Sequence, residues 1–311
     1  MSEPTVRELN QSFIDRITSD DSDMQKQAAD DVTAYTRVRM REDGFFRRIL
    51  PPTPVTNTDL DRQVDSVLPS KVVDREPDSP AAVSIPFATL PMNHYIVGDR
   101  YRVDFARIVT PRFTTDIEEL RTWTMDIRQV LSDNSLKDAL AEEDGRFIQA
   151  VNTVLLGQGV NIPAAGNVPL WTTIAGGITR DTINDAYKVM KRTTAHLAPV
   201  TVLANHLMVN DLQKLDRAAV GGDLAEEIFT NGIAERSLFG ANWIFTIKED
   251  LVPENTIYLF ADPKFLGKFY ILEDMVMHVK KEAYLLWWFC YETIGAAIGN
   301  VLGCSRVDFT A

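Results

Sequence analysis

Four histidines, His94, His196, His206 and His278, and two cysteines, Cys290 and Cys304, are the side chains of this 311-residue sequence best suited to hold a metal or attack a substrate. No two histidines stand at the spacing that puts two imidazoles on one helix face, and the cysteines have neither the paired spacing of a zinc site nor a disulfide framework around them. Gly157 and Gly159 begin a dinucleotide fingerprint, but its third glycine position is Ile162 and no strand precedes it. Phosphate-binding loops and Gly-x-Ser-x-Gly elbows are absent. Asp20, Asp21 and Asp23 lack the glycine and distal glutamate of a calcium loop. Glu142, Glu143 and Asp144 are adjacent, and adjacent residues on a helix point in different directions, so they do not read as a catalytic carboxylate pair. No catalytic residue, cofactor site or metal site is expected.

Arg37, Arg39, Arg41, Arg47 and Arg48 form the one basic cluster of a chain whose 32 Lys and Arg face 44 Asp and Glu, a formal charge of −12. That total repels a polyanion at long range and excludes a surface that coats nucleic acid. The arginines are read as pairing with an acidic face of a neighbouring subunit, with DNA phosphates as the second reading. Hydrophobic residues at 45% and charged residues at 24% are globular proportions, with length enough for about two core-burying units. Residues 1–10 carry no apolar run of the signal-peptide kind. Residues 285–303 are apolar, but Glu292 and Asn300 interrupt them, and Trp287, Trp288, Phe289, Tyr291 and Ile294 suit buried strands, so no membrane partner is expected.

Whatever these side chains do, the surrounding elements must place them. Val6, Leu9, Phe13 and Ile17 draw an apolar stripe at three- and four-residue spacing on an N-terminal helix, and residues 23–41 repeat the pattern more weakly. Phe45, Phe46, Ile49 and Leu50 then run into Pro51, Pro52 and Pro54, a stiff connector, so the stripe is expected to bury against something outside its own unit. In the proline-rich stretch that follows, Tyr101, Val103 and Phe105 alternate with Arg100, Arg102 and Asp104, a strand with one wet face, and residues 70–75 are its partner. This predicts a two-stranded projection poorly covered by its own domain. A long helix comes next, with Leu136, Leu140, Phe147, Val151 and Val154 on one face, Ser135 and Asp138 as its capping box, and Gly145 marking a bend or a close neighbour. Residues 157–177 form a loop-rich boundary. Beyond it Thr179 or Asp181 caps a helix faced by Ile183, Tyr187 and Met190, strands are predicted at 200–204, 243–247, 256–260 and 268–272, and Asp223 with Glu226 opens a helix. Three further strands, starting at 275, 284 and 301, close an α+β chain.

The run YRVDFARIVTPRFTTDIEEL at 101–120, leading into LKDALAEEDGRFIQAVNTVL, and the later runs VTVLANHLMVNDLQKL, LFGANWIFT and LVPENTIYLFADP resemble in order and type the major capsid proteins of tailed double-stranded DNA bacteriophages, the Hong Kong 97-like family. The resemblance implies an N-terminal arm at 1–60, an extended hairpin loop at 61–112, a peripheral domain with a spine helix at 113–177 and 272–311, and an axial domain at 178–271. It also implies hexamers and pentamers in an icosahedral virion shell around packaged DNA, assembled in the host cytoplasm with scaffolding, portal and decoration proteins. Val6, Leu9, Phe13, Ile17, the five arginines, Tyr101, Val103 and Phe105 become the candidate intersubunit contacts. Ala241 stands where the family often has a proline after the glycine of LFG. Lys71, the only lysine between residues 60 and 112, lies at the hairpin base, so no isopeptide cross-link is expected, and the arm begins at once, which points to a separate scaffolding protein. An encapsulin-like compartment and a cytosolic α/β enzyme with a dispersed site are the alternative readings.

Overall fold

The computed structural model describes residues 6–19, 23–30, 32–33, 44–61, 68–75, 84–87, 89–90, 98–122, 127–158, 170–213, 237–238 and 240–310. Helices are α1 (Val6–Thr18), α2 (Phe45–Ile49), α3 (Ile117–Thr122), α4 (Ile127–Gln158), α5 (Arg180–Lys191), α6 (Met208–Gln213) and α7 (Pro263–Leu266). The first sheet contains β1 (Thr53–Pro54), β2 (Ser70–Arg75), β3 (Asp99–Val109), β4 (Phe113–Asp116), β10 (Gly267–Glu282) and β11 (Leu285–Ile298), in the order β1-β10-β11-β3-β2 with β4 also on β11. The second contains β5 (Trp171–Ala175), β6 (Thr201–Asn205), β7 (Ser237–Leu238), β8 (Ala241–Thr246), β9 (Thr256–Phe260) and β12 (Cys304–Thr310), in the order β5-β12-β9-β6-β8-β7. The architecture is α+β, as the sequence predicts.

Strands with continuous apolar runs fall where they are predicted, because both faces of β6 and β9 are buried and every side chain along them must be tolerated inside. Thr179 caps α5, its hydroxyl accepting from the Thr182 backbone N–H at 3.3 Å. Ser135 does not cap α4: the helix begins at Ile127, and Ser135 is buried along its length. The strands predicted at 268–272 and 275–279 are one strand, β10, with register shifts between Ile271 and Val276. The shifts at Glu273 and Asp274 are a bulge, which bends the strand without ending it. The closing strands also part company: β10 and β11 stay in the first sheet, whereas β12 pairs parallel with β5 and antiparallel with β9 in the second. Residues 304–310 therefore do not join the sheet of 272–298, a correction to the continuous 272–311 unit. The helix expected from Asp223 and Glu226 lies outside the described residues.

The stripe of α1 is covered by its own chain. Phe13, Ile14 and Ile17 are buried with Ile117, Leu120, Leu140, Met277, Leu286 and Trp288, each worth about 1.5–3 kcal/mol on full burial. The Met277 backbone N–H donates to Thr33 Oγ1 at 3.1 Å, and Lys281 Nζ donates to the Thr18 carbonyl at 3.0 Å, fastening the N-terminal segment to β10. Burial outside the unit is thus corrected for Phe13 and Ile17. Leu9 is half-buried, and the Val6 side chain is outside the described residues.

At the start of β10, a Cβ on Gly267 would sit 2.2 Å from the Ala297 carbonyl oxygen on β11. Backbone cannot move aside as a side-chain tip can, so Gly267→Ala is expected to cost about 1–3 kcal/mol. At Gly145 an added Cβ would meet only Leu251 Cδ2, at 3.8 Å, and the alanine variant is expected to melt at or above the wild-type temperature. Differential scanning calorimetry of the two variants checks both signs.

Candidate functional site

Among the described residues, Arg47 is the centre of a buried cluster of charged side chains. It lies on α2 with its side chain 2% exposed. Its Nε donates to Glu143 on α4, at 3.0 and 3.1 Å to the two carboxylate oxygens, and its Nη2 donates to Glu292 Oε2 on β11 at 2.9 Å. Asp274, in the bulged stretch of β10, stands 3.6 Å from Nη1. The next residue of α4, Asp144, accepts from the Phe46 backbone N–H at 3.0 Å and pairs with Lys248 Nζ at 2.6 Å. Phe46 itself stacks on Phe147 and lies tilted against Phe269, with ring centroids 4.5 and 4.2 Å away. Acids from α4, β10 and β11 thus meet on one guanidinium from α2, whose planar fork can serve several carboxylates at once.

Burial dominates the electrostatics. It works against the Arg47 charge, but the Glu143, Glu292 and Asp274 carboxylates outweigh it and hold Arg47 above the usual arginine pKa. Burial pushes the Glu143 carboxyl up to about 7 against the pull of Arg47. Glu292 goes to about 8, from burial and then from the negative charge of Glu143. Burial also raises Asp144, opposed by Lys248 and the α2 backbone N–H groups.

Arg47 is therefore neither an intersubunit contact nor a DNA contact, a correction that follows from its burial among its own chain's acids. Arg48 is half-buried, and Arg37, Arg39 and Arg41 lie outside the described residues. Val103 and Phe105 are also corrected, being buried with Val55 and Tyr270 in a small core under the hairpin base. Tyr101 is half-buried there, its ring within 3 Å of where a Cβ on Gly299 would stand. The signal that could have found the cluster is Glu292 itself, which shares its strand face with Leu286, Trp288 and Cys290, all buried.

Exposed or half-buried apolar side chains stand on other described surfaces. Between β2 and β3, Phe87 is fully exposed and Leu90 is 91% exposed. On the outer face of β11, Trp287, Phe289 and Tyr291 form a half-buried ladder, with Arg112 4.0 Å above the Trp287 ring, Arg107 5.3 Å above Tyr291, and His278 beside Trp287 and Phe289. The cysteines are buried, which lifts Cys290 to about 11 and Cys304 to about 12, so neither supplies a thiolate at neutral pH. Among the described residues no helix is long and apolar enough to cross a membrane.

No protein-family model and no curated protein matches the chain. Solved structures do. The mature capsid of bacteriophage PhiM1 aligns with a TM-score of 0.59 at 10% identity, covering 86% of this chain and 87% of that one. The capsid of the cyanophage P-SCSP1u aligns at 0.57 and 11%, covering 83% and 86%. The capsid of the native GTA particle aligns at 0.52 and 15%, covering 86% and 90%. With its hairpin, long helix and two sheets, the chain has the Hong Kong 97-like fold of these phage capsid structures.

Proposed function

We propose that this chain is a major capsid protein, whose copies close as hexamers and pentamers into the icosahedral shell around the double-stranded DNA of a tailed phage. One observation carries the reading: capsid subunits share this fold over more than four fifths of both chains, 86% and 87% in the PhiM1 alignment. The hairpin connection gives independent support. Ile85, Phe87 and Leu90 are exposed within six residues, and exposed apolar clusters mark interaction surfaces. Seated on a neighbouring copy, each would contribute about 1.5–3 kcal/mol, repeated at every contact of the lattice. In this role the chain performs no chemistry, and scaffolding, portal and decoration proteins are its partners. The charge of −12 suits a container whose genome must slide during filling, with contact to DNA local and sequence-independent.

The test is a Phe87→Ser, Leu90→Ser double variant. Both side chains are exposed in the subunit, so its melting temperature is expected to stay within about 2 °C of wild type, since surface changes cost under ~0.5 kcal/mol. Closed shells, counted by sedimentation and electron microscopy, are expected to disappear. Shells at wild-type yield would overturn the role given to the hairpin.

A further inference from the structure

We propose that the Arg47 cluster is a proton-binding site that ties the docking of residues 44–50 onto the long helix and the first sheet to pH. Two cations, Arg47 and Lys248, face four carboxylates, Glu143, Asp144, Asp274 and Glu292. Among the described residues, the Glu143, Glu292 and Asp144 side chains are all 0% exposed and share the two cations, so with every group ionised one buried negative charge is in excess. Only Asp274, at 22%, reaches solvent. An uncompensated buried charge is expensive, and the least costly remedy is a proton.

The hydrogen-bond pattern says where it goes. Both Glu143 oxygens accept from Arg47 Nε, and Glu292 Oε2 accepts from Nη2. Glu292 Oε1 is buried with no hydrogen-bond partner. Among the oxygens that Arg47 gathers, this is the one where a negative charge is least supported, so a solvent proton adds there as an O–H bond, with nothing else broken or transferred. Among the described residues, Arg146 and Asp104 are further charged neighbours, lining a cavity of about 140 Å³ beside Glu143 and Phe46. The inference concerns the single chain and stands whether or not copies assemble.

The sign follows from linkage. Glu143 and Glu292 sit near 7 and 8 when docked, against an ordinary 4.5, so docking takes up protons between those values. Docking is then strongest in acid and weakens as pH rises toward 8. The experiment is amide exchange of the full-length protein from pH 5.5 to 8.5, read at the Phe46 and Leu50 N–H groups and corrected for intrinsic rates. Protection of wild type is expected to fall by up to about tenfold per pH unit for each of the two carboxyls that loses its proton. Glu292→Gln, neutral at every pH, is expected to show a clearly shallower slope and more protection than wild type at pH 8. A flat wild-type profile, or equal slopes in the two proteins, overturns the proposal. Should the variant not fold, infrared spectroscopy of wild type carrying ¹³C-glutamate decides: a protonated carboxyl band at pH 7 upholds the site, and carboxylate bands alone overturn it.

Discussion

Arg47→Met is expected to destabilise the subunit by about 3–5 kcal/mol at pH 8, because removing one partner of a buried ion cluster leaves the other charges buried and unpaired. Against a typical domain stability of about 5–15 kcal/mol, this is enough to lose much of the folded population. Glu143 and Glu292 would then lose the guanidinium they share, and Phe46, packed against Phe147 and Phe269, would lose the anchor beside it. The cost is expected to shrink at pH 5, where both carboxyls, already displaced to about 7 and 8, take protons and stop being charges. Urea denaturation at the two pH values measures this. A variant equally stable at both, or one that tolerates the change within about 1 kcal/mol at pH 8, would mean that the cluster is not a coupled electrostatic unit. The same reasoning applies to the N-terminal segment, whose stripe the sequence reads as burying outside its own unit. Phe13, Ile17, Phe45, Phe46 and Ile49 are core residues, and their loss is expected to unfold the chain.

The second large effect separates two adjacent tryptophans. Successive strand residues point to opposite faces, and Trp288 is buried with Phe13, Leu140 and Met277 while Trp287 lies half-buried on the outer face under Arg112. Trp288→Ala is expected to cost about 3–5 kcal/mol through the cavity it leaves. Trp287→Ala should cost about 1 kcal/mol, the scale of the exposed cation–π contacts it removes. Trp288→Phe should be milder than Trp288→Ala, since the Trp288 indole N–H is buried without an acceptor and losing it sacrifices no bond. Chemical denaturation of the three variants gives the order. Equal costs for Trp287→Ala and Trp288→Ala would contradict the strand's orientation.

What is legible in the sequence is whatever depends on neighbours along the chain. The strand at 256–260 has its predicted bounds because an uninterrupted apolar run admits few other structures, and the hairpin strand at 99–109 shows its wet face in Arg100, Arg102 and Asp104. Packing partners far along the chain are not legible. Arg47 is indistinguishable by type from Arg37 or Arg48, and only the fold brings it to Glu143 and Glu292, 96 and 245 residues away. The α1 stripe is plainly apolar in the sequence, but its cover comes from α3, α4, β10 and β11, far along the chain, which no periodicity announces. The first strand of the second sheet, β5, leaves no clear signal because Trp171–Ala175 is short and follows a glycine-rich stretch. The buried acids on α4 are hidden by the argument that three consecutive acids point three ways. That argument holds for Glu142, which faces outward and pairs with Arg146 at 2.7 Å, but it says nothing about the two that turn inward.

Assembly is the central claim, and cryo-electron microscopy of the purified full-length chain across a range of concentrations tests it most directly. The account predicts closed shells, or rings of five and six copies on the way to them, with the hairpin connection around Phe87 seated on an adjacent copy. Discrete single copies at every concentration, with Phe87 and Leu90 still facing solvent, would contradict it.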